Sequence, residues 1–194
     1  MKKMFAMLMV LAMMLSLLAG CGSKEPAQTE TTAPAVEVPG SALEILETIW
    51  AAYGDGEKFP VIGGNIEANI MDAPGNFDMA YAENLTWNLL VPEDRIADVT
   101  EAASMIHMMN ANTFTCGVFK LAGGVSAADF GAAMKDAVLN NQWMCGFPEK
   151  LVIGSFGDSY VLVAFGVNDA MTPFETHLSE VYPGMETIAN EPIV

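Results

Sequence analysis

Apolar and polar positions divide the chain into three zones. Residues 4–20 are apolar apart from Ser16. Residues 22–40 are polar, with Pro26, Pro34 and runs of Thr and Glu, and they show no spacing that would bury one face. From Ser41 onward apolar residues recur at helical or alternating spacing, the pattern of elements packed around a core.

Within the third zone the elements can be read in order. Ser41-Ala42-Leu43-Glu44 has capping-box spacing, with a hydroxyl at the N-cap and a carboxylate three residues later. Leu43, Leu46, Ile49, Trp50 and Tyr53 follow at helical spacing, and Gly54 is a stop. Residues 58–76 are rich in Gly, Pro and Asn and read as a loop holding one short strand near Val61. Residues 77–91 are helix-compatible around Met79-Ala80-Tyr81, although Asn84 and Asn88 weaken that pattern. Pro92-Glu93-Asp94 reads as a turn or a short helical turn.

Residues 98–109 fit either a helix, through Ala102, Met105, Ile106 and Met109, or a strand running into an Asn110-Ala111-Asn112 turn. Residues 113–121 are rich in Thr, Phe and Val and predict a strand ended by Gly123-Gly124. Ser126-Ala127-Ala128-Asp129 is a second capping box. It opens a helix to about Trp143, with Phe130, Met134, Ala137 and Val138 on one face. Residues 151–156 and 160–165 predict a hairpin turned by Gly157-Asp158-Ser159. Thr172-Pro173-Phe174-Glu175 predicts the start of the last helix, with Pro at its first position. Pro183-Gly184 stops it, before an extended tail. The order strand-strand-helix-strand-strand-helix predicts an α+β domain over residues 41–194, an antiparallel sheet with helices packed on one face.

The first zone has its own chemistry. Lys2 and Lys3 precede the apolar run, and Leu17-Leu18-Ala19-Gly20-Cys21 has the pattern of a bacterial lipobox. Small residues before the cysteine let a peptidase reach the backbone, and the thiol takes a thioether-linked diacylglycerol. An ordinary secretory signal and an uncleaved anchor are the competing readings. A cysteine directly after Leu-Ala-Gly and before a polar linker favours the lipoprotein. Residues 1–20 are then a removed leader, Cys21 is the first mature residue, and residues 21–40 form a lipidated tether. Acyl chains contribute about 0.8 kcal/mol per buried methylene, so two or three hold a domain firmly.

Removing the leader changes the charge. Lys2 and Lys3 go with it, leaving six basic residues against 24 acidic ones and moving the formal charge from −16 to −18. So acidic a surface argues against nucleic acid and anionic headgroups as partners. About 150 residues suit one domain but not the two lobes of a solute-binding transport component.

Two cysteines remain after Cys21. Cys116 and Cys145 are exported, where a disulfide can form, and a strand followed by a helix can bring them together. The alternative is two free thiols packed as small hydrophobes. No Cys-x-x-Cys motif is present. His107-Met108-Met109 is a candidate soft-metal group, since His107 and Met109 on a strand share a face with Met105 and such ligands suit Cu(I). No second Met/His cluster completes it, so no metal and no cofactor beyond the lipid is expected. His107 and His177 are the only histidines, which excludes a three-histidine zinc site. Gly154-Ser155-Phe156-Gly157 lacks the spacing of a nucleophile elbow. Asp55-Gly56-Glu57 and Pro92-Glu93-Asp94 read as solvated turns, and neither Gly63-Gly64-Asn65 nor Gly123-Gly124 is a phosphate loop.

Pro92-Glu93-Asp94, Met109-Asn110-Ala111-Asn112 leading into a strand, the helix after Gly123-Gly124, the Trp143 region and the hairpin at Gly157-Asp158-Ser159 together resemble a known family. Residues 92–167 are similar to Gram-positive bacterial lipoproteins of the domain of unknown function family 4358. The resemblance implies an envelope-anchored α+β domain and supplies no catalytic residues. The expectation is a non-catalytic lipoprotein on the outer face of the cytoplasmic membrane. It would bind an envelope protein or peptide, or serve as an accessory module there. The alternative is a redox or metal protein using Cys116 and Cys145 or the His107–Met109 group.

Overall fold

The two predicted hydroxyl N-caps, Ser41 and Ser126, both form. Ser41 Oγ accepts from the Glu44 amide at 3.1 Å, and the Glu44 carboxylate accepts from the Gly40 amide at 2.9 Å. This fixes the start of α1 (Ala42–Ala52), which buries Ile45, Leu46, Ile49 and Trp50. Ser126 Oγ accepts from the Asp129 amide at 3.3 Å and opens α3 (Ala127–Leu139), which buries Phe130, Met134 and Val138. Between them lies the short α2 (Asn84–Leu89), preceded by a 3-10 turn at Met79–Tyr81 and followed by another at Glu93–Asp98. The structure, a computed structural model, describes residues 38–109 and 113–193. The leader, the lipid site Cys21, most of the tether and the Asn110-Ala111-Asn112 turn lie outside the described residues.

The strands are β1 (Val61–Gly63), β2 (Ile70–Met71), β3 (Gly75–Asn76), β4 (Val99–His107), β5 (Phe114–Leu121), β6 (Lys150–Phe156), β7 (Tyr160–Gly166) and β8 (Glu186–Pro192). They form one 8-stranded antiparallel sheet in the order β2-β1-β4-β5-β7-β6-β8, with β3 also pairing β4. The ambiguous segment at residues 98–109 is therefore strand β4 over Val99–His107. Its pairing with β5 resolves what periodicity left open. The predicted tight hairpin joins β6 to β7, with Phe156 opposite Tyr160 and Gly157 at φ 57° between them. The extended tail becomes edge strand β8 against β6.

The α+β class and the antiparallel sheet stand as expected, but helices line both faces rather than one. Met105, Cys116, Val118, Leu162 and Ala164 join α1 and the last helix in one core cluster. Ala102, Phe119, Ile153, Val161, Val163 and Phe165 join α2 and α3 in a second. The physical reason was visible in the strands. Residues 151–156 and 160–165 run apolar without alternation, which suits strands covered on both sides.

The last helix also departs from expectation. α4 (Asn168–Val181) begins four residues before Thr172, so Pro173 lies inside it. The Glu149 carboxylate accepts from the Asn168 amide at 2.7 Å. The cap thus comes from a residue distant in sequence, and no local signal marks it. Pro173 has no amide to donate, so one helical bond is missing there. Among the described residues no helix is long and apolar enough to cross a membrane.

Candidate functional site

The two ends of the sheet differ. At one end Tyr160 donates to the Gly40 carbonyl at 3.0 Å and the Ala42 amide donates to Glu101 at 2.6 Å, so the described chain enters there. Glu101, Lys120 and Tyr160 form one cross-strand row, and Ile106, Thr115 and Phe165 form another. The rows are five residues apart on β7, about 17 Å at about 3.4 Å per residue. The second row opens into a cleft of about 520 Å³.

Five segments build this cleft. The ends of β4 and β7 and the start of β5 provide its floor through Ile106, Phe165 and Thr115. α2 provides one wall. Leu85 and Leu89 are buried and hold the helix on the sheet, which turns Trp87 outward at 81% exposure. Leu90 then caps the helix at φ 60°, a left-handed conformation that costs a branched residue about 1–2 kcal/mol. That geometry lets the Leu90 and Val91 amides both approach the Leu85 carbonyl, while Thr86 Oγ donates to the Val91 carbonyl at 2.8 Å.

The opposite wall is the segment after α3. Trp143 packs on Phe165 with ring centroids 5.4 Å apart. Its Nε1 is buried and has no hydrogen-bond partner among the described residues. Met144 and Phe147 flank the lining residues Cys145 and Gly146 and stand exposed at 87% and 66%. Among the described residues no Asp, Glu, Lys or Arg side chain lines the cleft, in a chain of formal charge −16. A second hollow of about 520 Å³ continues from it between α2 and α3, sharing Thr86 and Leu90 and reaching Asp94, Arg95 and Asp136.

His107, Met109 and Cys145, singled out in the sequence for other reasons, all line the cleft. They do not form the candidate soft-metal group with Met105. Met105 is fully buried in the core beneath α1 and α4. His107 Nδ1 accepts from the Met109 amide at 2.9 Å, which engages its one lone pair and leaves the proton on Nε2. The ring stacks on Phe59 at 5.1 Å and 9°, and burial lowers its pKa. Among the described residues no group of three or more His, Cys, Asp or Glu side chains is placed to hold a metal ion.

The candidate Cys116–Cys145 disulfide is likewise corrected. Both thiols are free, Cys116 buried and Cys145 exposed. Cys116 points into the α1–α4 side of the sheet, while Cys145 sits on the cleft at the other side. A strand followed by a helix brings neighbouring elements together but does not choose the face, and the helix crosses to the wrong one. Burial pushes the Cys116 thiol far up, so it stays protonated. Ser155 is buried within β6 and Glu57 is occupied by the Gly54 amide and His177, so neither is poised as a nucleophile or base.

Sequence reasoning missed Trp87, Leu90, Thr115 and Phe165 as cleft residues. The available signal was apolar residues without period: a tryptophan among Asn84, Thr86 and Asn88, and Met144-Cys145-Gly146-Phe147 in a loop. Comparison of the chain with protein-family models, with curated proteins and with solved structures gives no match.

Proposed function

We propose that this chain is an extracytoplasmic lipoprotein held at the membrane by acyl chains on Cys21. Its domain is a non-catalytic binding module whose cleft takes an apolar segment of an envelope protein or peptide. One observation carries the binding role: a cleft lined by Trp87, Met109 and Phe165 on a strongly acidic chain, with no Asp, Glu, Lys or Arg among its described lining residues. Exposed tryptophan and methionine beside a concave apolar floor are suited to adaptable contacts. The left-handed Leu90 adds backbone strain at the same place. The lipobox and the resemblance of residues 92–167 to Gram-positive lipoproteins support the location.

The binding role is tested by titrating a neutral apolar fluorophore, Nile red, into the processed chain carrying Cys21→Ser. Saturable binding is expected, weakened about tenfold or more by Trp87→Ser with Met109→Ser. Equal binding by that double variant sinks the reading. Anchoring is tested by Cys21→Ala, which should release the protein to the medium. A variant that stays with membranes after losing its leader refutes the anchor. A second reading, a Cu(I) site, has one observation in its favour, the shared cleft position of His107, Met109 and Cys145. Metal retained under reducing conditions, and lost in Cys145→Ser, would put it first.

A further inference from the structure

We infer that the occupant of the cleft is a cationic peptide segment of a protein partner. An apolar residue sits in the cleft, and Lys or Arg two or three residues away reaches Asp94 and Asp136. This rests on the cleft being a binding site and adds the chemistry of what binds. The first support is continuity, because the uncharged cleft and the hollow holding both carboxylates share Thr86 and Leu90. The second is charge. Asp94 and Asp136 are exposed and enter no ion pair among the described residues.

The only cation lining that hollow, Arg95, is paired with Asp98 and lies over the Phe130 ring at 5.7 Å. The other described basic side chains are engaged elsewhere: Lys120 with Glu101, Lys135 with Glu191, Lys150 with Glu175, and Lys58 over Trp50. The groove therefore presents uncompensated negative charge beside an apolar floor. A second copy of this chain carries the same excess and is repelled, as is an anionic bilayer. A cationic segment is attracted.

The spacing follows from the end of α3. Asp136 lies in its last turn, and the Asn141 amide donates to the Val138 carbonyl at 3.3 Å, so Asn141, which lines the cleft, follows within about one helical pitch, about 5.4 Å. Two or three extended residues span that distance at about 3.3 Å each. Asn141, on the cleft lining, is placed to bond the peptide backbone.

The test uses three synthetic ten-residue peptides and the processed chain carrying Cys21→Ser. One peptide has a Leu-Phe anchor with Lys two and three positions on. The second has Glu in place of Lys. The third keeps Lys but has Ser in place of the anchor. By fluorescence anisotropy the Lys peptide should bind about tenfold or more tighter than either other, the effect of two exposed charge contacts or one apolar anchor. Its advantage over the Glu peptide should shrink as salt rises. Asp94→Asn with Asp136→Asn should bring that ratio to within about threefold of unity while Nile red binding is unchanged, since both carboxylates are outside the cleft.

Nile red binding with no Lys preference overturns the charged partner alone, whereas loss of specific Nile red binding overturns the cleft itself. Equal binding of the Ser peptide shows nonspecific charge attraction and also overturns the inference. So does Trp87-dependent self-association, or Trp87-dependent binding to phosphatidylcholine vesicles, without a Lys-peptide preference.

Discussion

Replacing Trp143 by Phe separates packing from hydrogen bonding in the cleft. The indole packs on Phe165 at 5.4 Å, and its Nε1 is buried without a partner. A buried donor left unpaired costs about 1–3 kcal/mol. Phe removes that donor and keeps an aromatic pair contributing about 0.5–1.5 kcal/mol. It gives up about 40 Å² of apolar contact, about 1 kcal/mol at about 25 cal/mol per Å². The balance runs from neutral to about 2 kcal/mol in favour of Trp143→Phe. For a domain of this size each kcal/mol moves the Tm by about 2–4 °C, so the Tm should hold or rise by up to about 8 °C.

The binding assay should not move. Nε1 is buried, so a peptide in the cleft does not reach it, and Trp143→Phe should leave the affinity for the Lys peptide within about twofold. Differential scanning calorimetry and anisotropy on the same variant give both numbers. A Tm lowered by more than about 5 °C would refute the reasoning, because the indole's packing would then outweigh its unpaired donor.

The free thiols predict that Ellman's reagent titrates one cysteine, Cys145, in the native processed chain carrying Cys21→Ser, and two in denaturant. A mass shift on reduction would contradict the free pair. His107 predicts a pH effect. Burial lowers its folded pKa, so the unfolded chain binds the proton more readily. Its contribution is complete above about pH 6.5 and is lost as pH falls through the lower folded value. His107→Phe keeps a flat ring against Phe59, loses the Met109 bond at about 1 kcal/mol, and should flatten the urea-measured stability slope below about pH 6.5. An unchanged slope sinks the assignment. Gly63→Ala places a methyl against the Gly75 and Pro74 backbone, where no side chain can yield, and should cost about 3 kcal/mol. Gly123→Ala, facing open space, is the control and should leave the urea midpoint in place.

What local chemistry specifies was legible in the sequence. Ser41 with Glu44, Ser126 with Asp129, and the turn at Gly157 act within a few residues, and each forms as spacing predicts. What long-range pairing specifies was not. Glu149 caps α4 across 19 residues, so Thr172-Pro173 offered a false start. The face on which a crossover helix lands decides whether Cys116 meets Cys145, and spacing along the chain carries no information about that face. The cleft is the extreme case. Trp87, Ile106, Thr115, Trp143 and Phe165 come from separate elements and meet only through the strand register and the helices packed over it.

That same register separates the cleft from the point where the described chain enters. Gly40 is held by Tyr160, and Ala42 by Glu101, on the row about 17 Å from the one that opens the cleft. Residues 38–42 do not line the cleft, so its floor is open to a ligand while they stay bonded in place. What then selects the ligand is charge. Asp94 and Asp136 are exposed in the adjoining hollow and enter no ion pair among the described residues, which attracts a cationic segment and repels an anionic one.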